Sequence, residues 1–215
     1  MRLLVTVMLT LLSFSYTAVA QEEEEGRDYV EVAFFGGVSI PGGGLTDWES
    51  AGAERAAKTG FDVGIEGGYF VRQNLLVGLN FVYTQFSIDA AEQSDHKHRL
   101  YNPNLYVKYL FEGESNFVPY FKLEAGVDNP KFSTFVINQA ANRFREISYD
   151  PAIAIGLGAG LFYYTADFSG IFLEANFHQA FSKDVKARYI DTDYVFGKDL
   201  GKFDIRAGVR VLFGS

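Results

Sequence analysis

In the last stretch of the chain, residues 203–213 with the sequence FDIRAGVRVLF, every second residue is apolar, and three of the five residues between them are charged. A period of two predicts a β-strand whose two faces meet different surroundings. In a soluble sheet the apolar face would be core and the charged face would meet water. In a membrane barrel the apolar face would meet lipid and the charged face would line the lumen. The apolar set is Phe203, Ile205, Ala207, Val209, Val211 and Phe213.

The same alternation occurs in seven earlier segments, so the chain is predicted to form eight strands. Each segment is long enough for a tilted strand to cross a bilayer, which takes about 9–11 residues. Beyond residue 20 no apolar run approaches the length of a transmembrane helix, so any membrane insertion would be by strands. The seven segments are 29–40, 60–71, 75–86, 100–111, 117–127, 151–163 and 171–181.

The connections between the predicted strands alternate regularly between long and short. Barrels of the bacterial outer membrane have short turns on the periplasmic side and long loops outside. An even strand number places both chain ends on the short-turn side. These lengths favour an all-β fold, an eight-stranded antiparallel up-and-down transmembrane β-barrel. The connections are 41–59, 72–74, 87–99, 112–116, 128–150, 164–170 and 182–201.

The N-terminus carries an export signal. Residues 1–20 contain one arginine, an apolar stretch and a small-residue end, which predicts a signal peptide cleaved after Ala20. Residues 21–28 are predicted to be an acidic disordered tail that contains the run Glu22–Glu25. The remaining residues, 29–213, are predicted to be a single barrel domain.

The net charge of the protein argues against partners that are themselves negatively charged. The formal net charge is −8, and removal of Arg2 with the signal peptide makes it −9. This acidity argues against nucleic acid and anionic headgroups as electrostatic partners. The chain has no cysteine, so it has neither disulfides nor thiol chemistry.

The width of a small barrel favours lipid for the apolar face. An eight-stranded barrel is only just wide enough inside for side chains to fill. A lipocalin-like interior would have to hold dozens of large apolar residues, whereas glycine, alanine, asparagine and opposite charges fit a narrow lumen. Buried charges must be paired. The predicted lumen charge network is Glu31, Asp62, Glu66, Lys108, Lys122, Glu124, Glu174, Asp204, Arg206 and Arg210, in which closure of the barrel should place Glu31 opposite Arg210.

Three local patterns could carry chemistry, but each lacks the context that its chemistry needs. Gly156–Gly160 is not followed by a helix, as a phosphate loop would be. Asp95–His98 could ligate a metal, but no third ligand is near in sequence. His178 and Ser182 could act together in catalysis, but they lie four residues apart in the sequence. No catalytic residue, cofactor site or metal site is predicted.

The sequence over 29–213 resembles the small outer-membrane β-barrel proteins of the OmpA-transmembrane and OmpX type. In that family the last strand carries a signal for the barrel-assembly machinery: a polar residue, a glycine two positions on, a hydrophobic residue and a final aromatic. Arg206, Gly208, Val211 and Phe213 match that signal, although the chain continues past the aromatic. The resemblance implies a monomer in the bacterial outer membrane, in contact with membrane lipid and lipopolysaccharide. Some barrels of this kind modify lipid A, and the deacylase among them has a histidine and a serine two residues apart on a strand, a spacing that His178 and Ser182 do not share.

Function is predicted from the loops and the lumen. The leading hypothesis is a structural or surface-interaction protein with long external loops and a charge-filled lumen. The alternative is a narrow porin-like channel for small ions or solutes, and a lipid A-modifying enzyme ranks third. The loops themselves do not identify a surface ligand.

Overall fold

The computed structural model describes residues 29–46, 57–88, 97–111, 113, 115–138, 141–148, 150–181 and 199–214. The predicted signal peptide and acidic tail lie outside these ranges. Within them the chain forms β-strands joined by turns. The strands are β1 (Val30–Gly43), β2 (Ala57–Arg72), β3 (Leu75–Ile88), β4 (Lys97–Leu110), β5 (Phe117–Asn138), β6 (Ala141–Ser148), β7 (Ala152–Ala166), β8 (Ser169–Phe181) and β9 (Asp199–Phe213).

Eight of these strands form a closed antiparallel barrel. Consecutive strands pair from β1 to β5, then β5 pairs with β7, β7 with β8 and β8 with β9. The first and last strands close the barrel in a ladder that runs from Val30–Phe213 to Gly43–Leu200. The predicted fold class is therefore confirmed.

The ninth strand is a departure from the prediction. The segment 128–150 was expected to be a loop, yet β5 continues to Asn138 and β6 pairs with its outer part from Lys131–Ser148 to Asn138–Ala141. Both segments contain β-branched and aromatic residues, which favour extended backbone. Their pairing satisfies backbone hydrogen-bonding groups beyond the barrel wall.

The two ends of the barrel differ in their connections. Short turns at Gln73–Asn74, 111–116 and Asp167–Phe168 lie at one end, called here the turn end. The opposite end, the loop end, carries the long connections, most of which fall outside the described residues. No helix that is long and apolar enough to span a membrane occurs in the described ranges.

The apolar stripe of each strand forms the outer wall of the barrel. Leu79 exposes 63 % of its surface and Leu173 exposes 58 %, whereas residues of the other parity are buried. Aromatic pairs lie near the strand ends: Tyr109 and Phe111 have ring centroids 5.0 Å apart at the turn end. The wall is thus a continuous apolar surface around a polar interior.

Glycines on the inner face make room for two tyrosines. A Cβ added to Gly160 would lie 2.4 Å from Tyr120 Cζ and 2.7 Å from the Leu173 carbonyl oxygen. A Cβ added to Gly78 would lie 2.7 Å from Tyr106 Cζ. Real Cβ atoms do not approach other heavy atoms this closely, so the tyrosine rings occupy space that only glycine leaves free.

The Gly160→Ala variant should therefore unfold more readily than the parent barrel. Overpacking of this kind costs about 1–3 kcal/mol of unfolding free energy, and urea titration of the refolded protein in lipid vesicles would measure it. Gly113→Ala is the matched control, because a Cβ there meets no atom within 4 Å. Equal stability of the two variants would contradict the close fit at Tyr120.

Candidate functional site

The ten residues predicted to form a lumen network all lie on the inner face of the barrel. Each is buried, with between 0 and 5 % of its surface exposed. They come from β1, β2, β4, β5, β8 and β9, so the charges meet from around the barrel. Alternation on each strand turns every one of these side chains inward.

Lys122 joins three carboxylates at the centre of the lumen. Its Nζ lies 2.7 Å from Glu66 Oε1, 3.0 Å from Glu124 Oε1 and 2.6 Å from Glu174 Oε1. The phenol of Tyr120 donates a hydrogen bond of 3.0 Å to the second oxygen of Glu174. One ammonium group thus balances carboxylates from β2, β5 and β8.

Arg206 forms a second centre next to the first. Its Nη2 donates to Asp204 at 2.7 Å, its Nε donates to Asp62, and its Nη1 lies 3.4 Å from Glu174. The guanidinium also lies 5.0 Å from the ring centroid of Phe35. Charge-assisted bonds of this type are stronger than neutral ones, and the planar fork fixes their geometry.

The network continues toward the turn end. Lys108 Nζ lies 2.9 Å from both Glu31 and Glu66. Arg210 Nη1 lies 3.1 Å from Glu31 Oε2, which is the pair expected from closure of β1 against β9. The Arg210 guanidinium stacks 3.8 Å from the ring centroid of Phe162. Every cation of the predicted set therefore has a carboxylate partner.

Several lumen residues were missed from the sequence. Lys202 Nζ contacts Asp204 at 3.1 Å and donates to Thr84 at 2.8 Å. Asp128 is fully buried and accepts bonds from Asn102 and from His178 Nε2, the latter at 2.8 Å. Lys202 has the parity of Asp204, and this signal would have found it. Asp128 was assigned to a loop because the predicted strand ended at residue 127, whereas β5 continues to Asn138.

Apolar side chains fill the lumen at both ends of the network. The loop-end cluster consists of Leu45, Ala57, Phe86, Leu100, Ala152, Ala154, Ala180 and Leu200. The turn-end cluster consists of Ala33, Phe35, Phe70, Leu76, Val82, Tyr106, Leu110, Val118, Tyr120, Phe162, Phe172 and Leu212. The inner face was predicted to carry mainly small and charged residues, so these large side chains are a correction. At the turn end they fit because their rings pack on the cations, as Phe162 does on the Arg210 guanidinium at 3.8 Å.

Two solved structures share this architecture. Neisserial surface protein A is similar with a TM-score of 0.57 and 16 % identity, over 85 % of this chain and 96 % of that one. Outer membrane protein AlkL, solved by solid-state NMR in lipid bilayers, is similar with a TM-score of 0.51 and 15 % identity, over 91 % of this chain and 94 % of that one.

The chain has the fold of the small outer-membrane β-barrels. No protein-family model matches the sequence, and no curated protein sequence matches it significantly. At these identities the likeness concerns the fold.

The glycine and histidine patterns singled out in the sequence have structural positions in this barrel fold. Gly156 lies in β7 over Glu124, whose Oε2 is 2.8 Å from an added Cβ, so this glycine makes room for the network. His178 turns into the lumen toward Asp128, whereas Ser182 lies outside the described residues. Asp95 is also outside them, and His98 is buried in β4. In the described part of the chain no group of three or more His, Cys, Asp or Glu side chains could hold a metal.

The closing strand of the barrel places the four residues of the predicted assembly signal on two faces. Arg206 is buried in the lumen, and Gly208 is close-packed because an added Cβ would lie 2.4 Å from the Phe34 carbonyl oxygen. Val211 and Phe213 face outward near the turn end, where Phe213 exposes 55 % of its surface. The outer face of the strand is therefore apolar at its C-terminal end.

Proposed function

We propose that this protein is a bacterial outer-membrane barrel with a closed lumen, and that its role is structural or lies in surface interaction through the loop end. The single observation that carries the proposal is the filled interior. A charged network occupies the barrel from its middle toward the turn end, the turn-end cluster packs among its charges, and the loop-end cluster closes its other side. A channel needs a continuous polar path.

The network itself resists the passage of ions. Lys122 and Arg206 are held by carboxylates from neighbouring and opposite strands, with almost no exposed surface. A moving ion would have to displace these partners and leave buried charges uncompensated, which is costly. Phe86 and Leu100 would block it again at the loop end.

The apolar wall supports location in a membrane. Exposed leucine, isoleucine, valine and phenylalanine surround the barrel, and such a large apolar surface is not stable in water. We assign membrane lipid and lipopolysaccharide as the partners of this wall and expect a monomer. Export would use residues 1–20, with cleavage after Ala20. Arg206, Gly208, Val211 and Phe213 would then present the last strand to the barrel-assembly machinery.

Conductance measurement tests the closed lumen. Refolded protein added to a planar bilayer should insert without steady current steps, because the interior is sealed. Steady openings that Glu124→Ala enlarges would overturn the proposal in favour of the narrow channel. Asp167→Ala is the matched control, because it removes an exposed carboxylate from a turn outside the lumen.

Location is tested separately in cells. The protein should fractionate with outer membranes, and its unheated band should migrate faster on a cold SDS gel than the boiled band. A protein recovered in the soluble periplasmic fraction, with no shift on boiling, would show that the apolar wall does not face lipid.

A further inference from the structure

The loop-end half of the lumen contains buried oxygen atoms that accept no hydrogen bond. Four such oxygens are Asp128 Oδ2, Asn102 Oδ1, Asn104 Oδ1 and Asn176 Oδ1. Their residues expose between 0 and 4 % of their surface. Buried acceptors are almost always satisfied by a donor, a water molecule or a cation.

Carboxylates fix the orientation of Asn102 and Asn176 directly, and that of Asn104 through Asn80. Asn102 and Asn176 turn their NH₂ groups toward Asp128 and Glu124 respectively. Asn104 donates at 2.8 Å to Asn80, which itself donates at 2.6 Å to Glu124. Because each amide nitrogen is committed in this way, each carbonyl oxygen must point elsewhere as an acceptor. Exchange of the amide nitrogen and oxygen would place oxygen against a carboxylate at Asn102 and Asn176, and against the Asn80 carbonyl oxygen at Asn104.

These oxygens lie in two adjoining polar layers. Asn102, Asp128 and His178 form the layer nearer the loop end. The second layer links Asn104, Asn80, Glu124 and Asn176 across the barrel. Between the strands that supply them, Gly126, Ala154 and Gly156 face inward with almost no side chain. Asn104 Oδ1 lies directly against Gly126, and Asn176 Oδ1 would lie 3.5 Å from a Cβ added to Gly156, so both oxygens turn toward this part of the wall.

The lumen also carries more negative than positive charge. Its buried carboxylates are Glu31, Asp62, Glu66, Glu124, Asp128, Glu174 and Asp204, and its buried lysines and arginines are Lys108, Lys122, Lys202, Arg206 and Arg210. Among these described residues, seven carboxylates face five lysines and arginines, an excess of two negative charges. Uncompensated buried charge is costly, and one divalent cation would neutralise it.

We infer that the loop-end half of the lumen binds one calcium-sized divalent cation through Asp128 and the amide oxygens of Asn102, Asn104 and Asn176. Carboxylate and amide oxygens are hard ligands of the kind that Ca²⁺ prefers, and its flexible coordination tolerates ligands from several strands. The loop-end cluster covers the site from outside. The ion would therefore enter as the barrel folds and exchange slowly afterwards.

The experiment measures retained metal after refolding. The mature chain is refolded in detergent with CaCl₂ or with EDTA, desalted, and analysed for calcium by plasma mass spectrometry. The calcium-refolded protein should retain about one ion per barrel and should melt at a higher temperature than the EDTA-refolded protein, because a ligand that binds only the folded state stabilises it. Asp128→Asn should lower retention at least tenfold.

Asp167→Asn is the matched control, since it removes an exposed carboxylate at the turn end and should retain calcium like the parent. Folding of each variant is checked by its heat-modifiable gel mobility. If Asp128→Asn does not fold, Asn102→Ala and Asn176→Ala take its place and should each lower retention. Parent protein that retains no calcium and melts alike in both preparations would overturn the site, as would full retention by a folded Asp128→Asn barrel.

Discussion

Replacement of Lys122 by methionine is expected to lower the unfolding free energy of the barrel by about 3–5 kcal/mol, the cost of breaking a buried ion pair from one side. Methionine keeps the length of the side chain but removes the charge that Glu66, Glu124 and Glu174 share. Glu66 keeps Lys108, and Glu174 keeps Arg206, so the loss should weaken the barrel without preventing closure. Urea titration in lipid vesicles measures the change.

Lys58→Met is the control for Lys122→Met, because Lys58 is exposed near the loop end of β2. Its loss should change stability by about 1 kcal/mol or less, which is the range for an exposed charge and its interactions. A cost below about 1 kcal/mol for Lys122→Met would contradict the expectation that removal of one partner from a buried ion pair is strongly destabilising.

The second large effect concerns the wall, where Leu173→Arg should cost about 2–4 kcal/mol of unfolding free energy in a bilayer. Leu173 lies beside Leu161 and Ala207 on the neighbouring strands, at the height of the central network. An arginine there would have to place its charge in hydrocarbon. The same exposed position on a water-soluble barrel would tolerate arginine almost without cost.

Val71→Arg separates these two environments. Val71 exposes 49 % of its surface on β2, near the turn end, where a charge can reach the interface. Its cost in a bilayer should be about 0–1 kcal/mol. If Leu173→Arg and Val71→Arg destabilise the refolded barrel equally, the middle of the wall does not lie in the hydrocarbon layer.

Alternation and connection length were sufficient to predict the barrel. They place Glu31 and Arg210 on the inner face of the strands that close it, and the two side chains lie 3.1 Å apart. The same parity identifies Lys202, although the predicted charge network did not include it. The sequence signals the ends of strands only weakly, because strand pairing can continue beyond the barrel wall, as it does between β5 and β6.

The contents of the lumen at each height could not be predicted. Parity tells which residues share a face, but the tilt and stagger of strands decide which of them meet across the barrel. Phe162 stacks on Arg210 from a strand that is not its neighbour in the sheet. The hydrogen bond between His178 and Asp128 likewise joins β8 to β5 across the intervening β7.

The ladder between β1 and β9 has a consequence for how the protein reaches its native state. It joins the first and last segments of the barrel, so the fold has a high contact order and pays a large chain-closure entropy before its final hydrogen bonds form. Arg206, which compensates Asp62 and Glu174, arrives only with the last strand. A nascent or truncated chain therefore has open strand edges and an unbalanced interior, which expose it to aggregation and proteolysis.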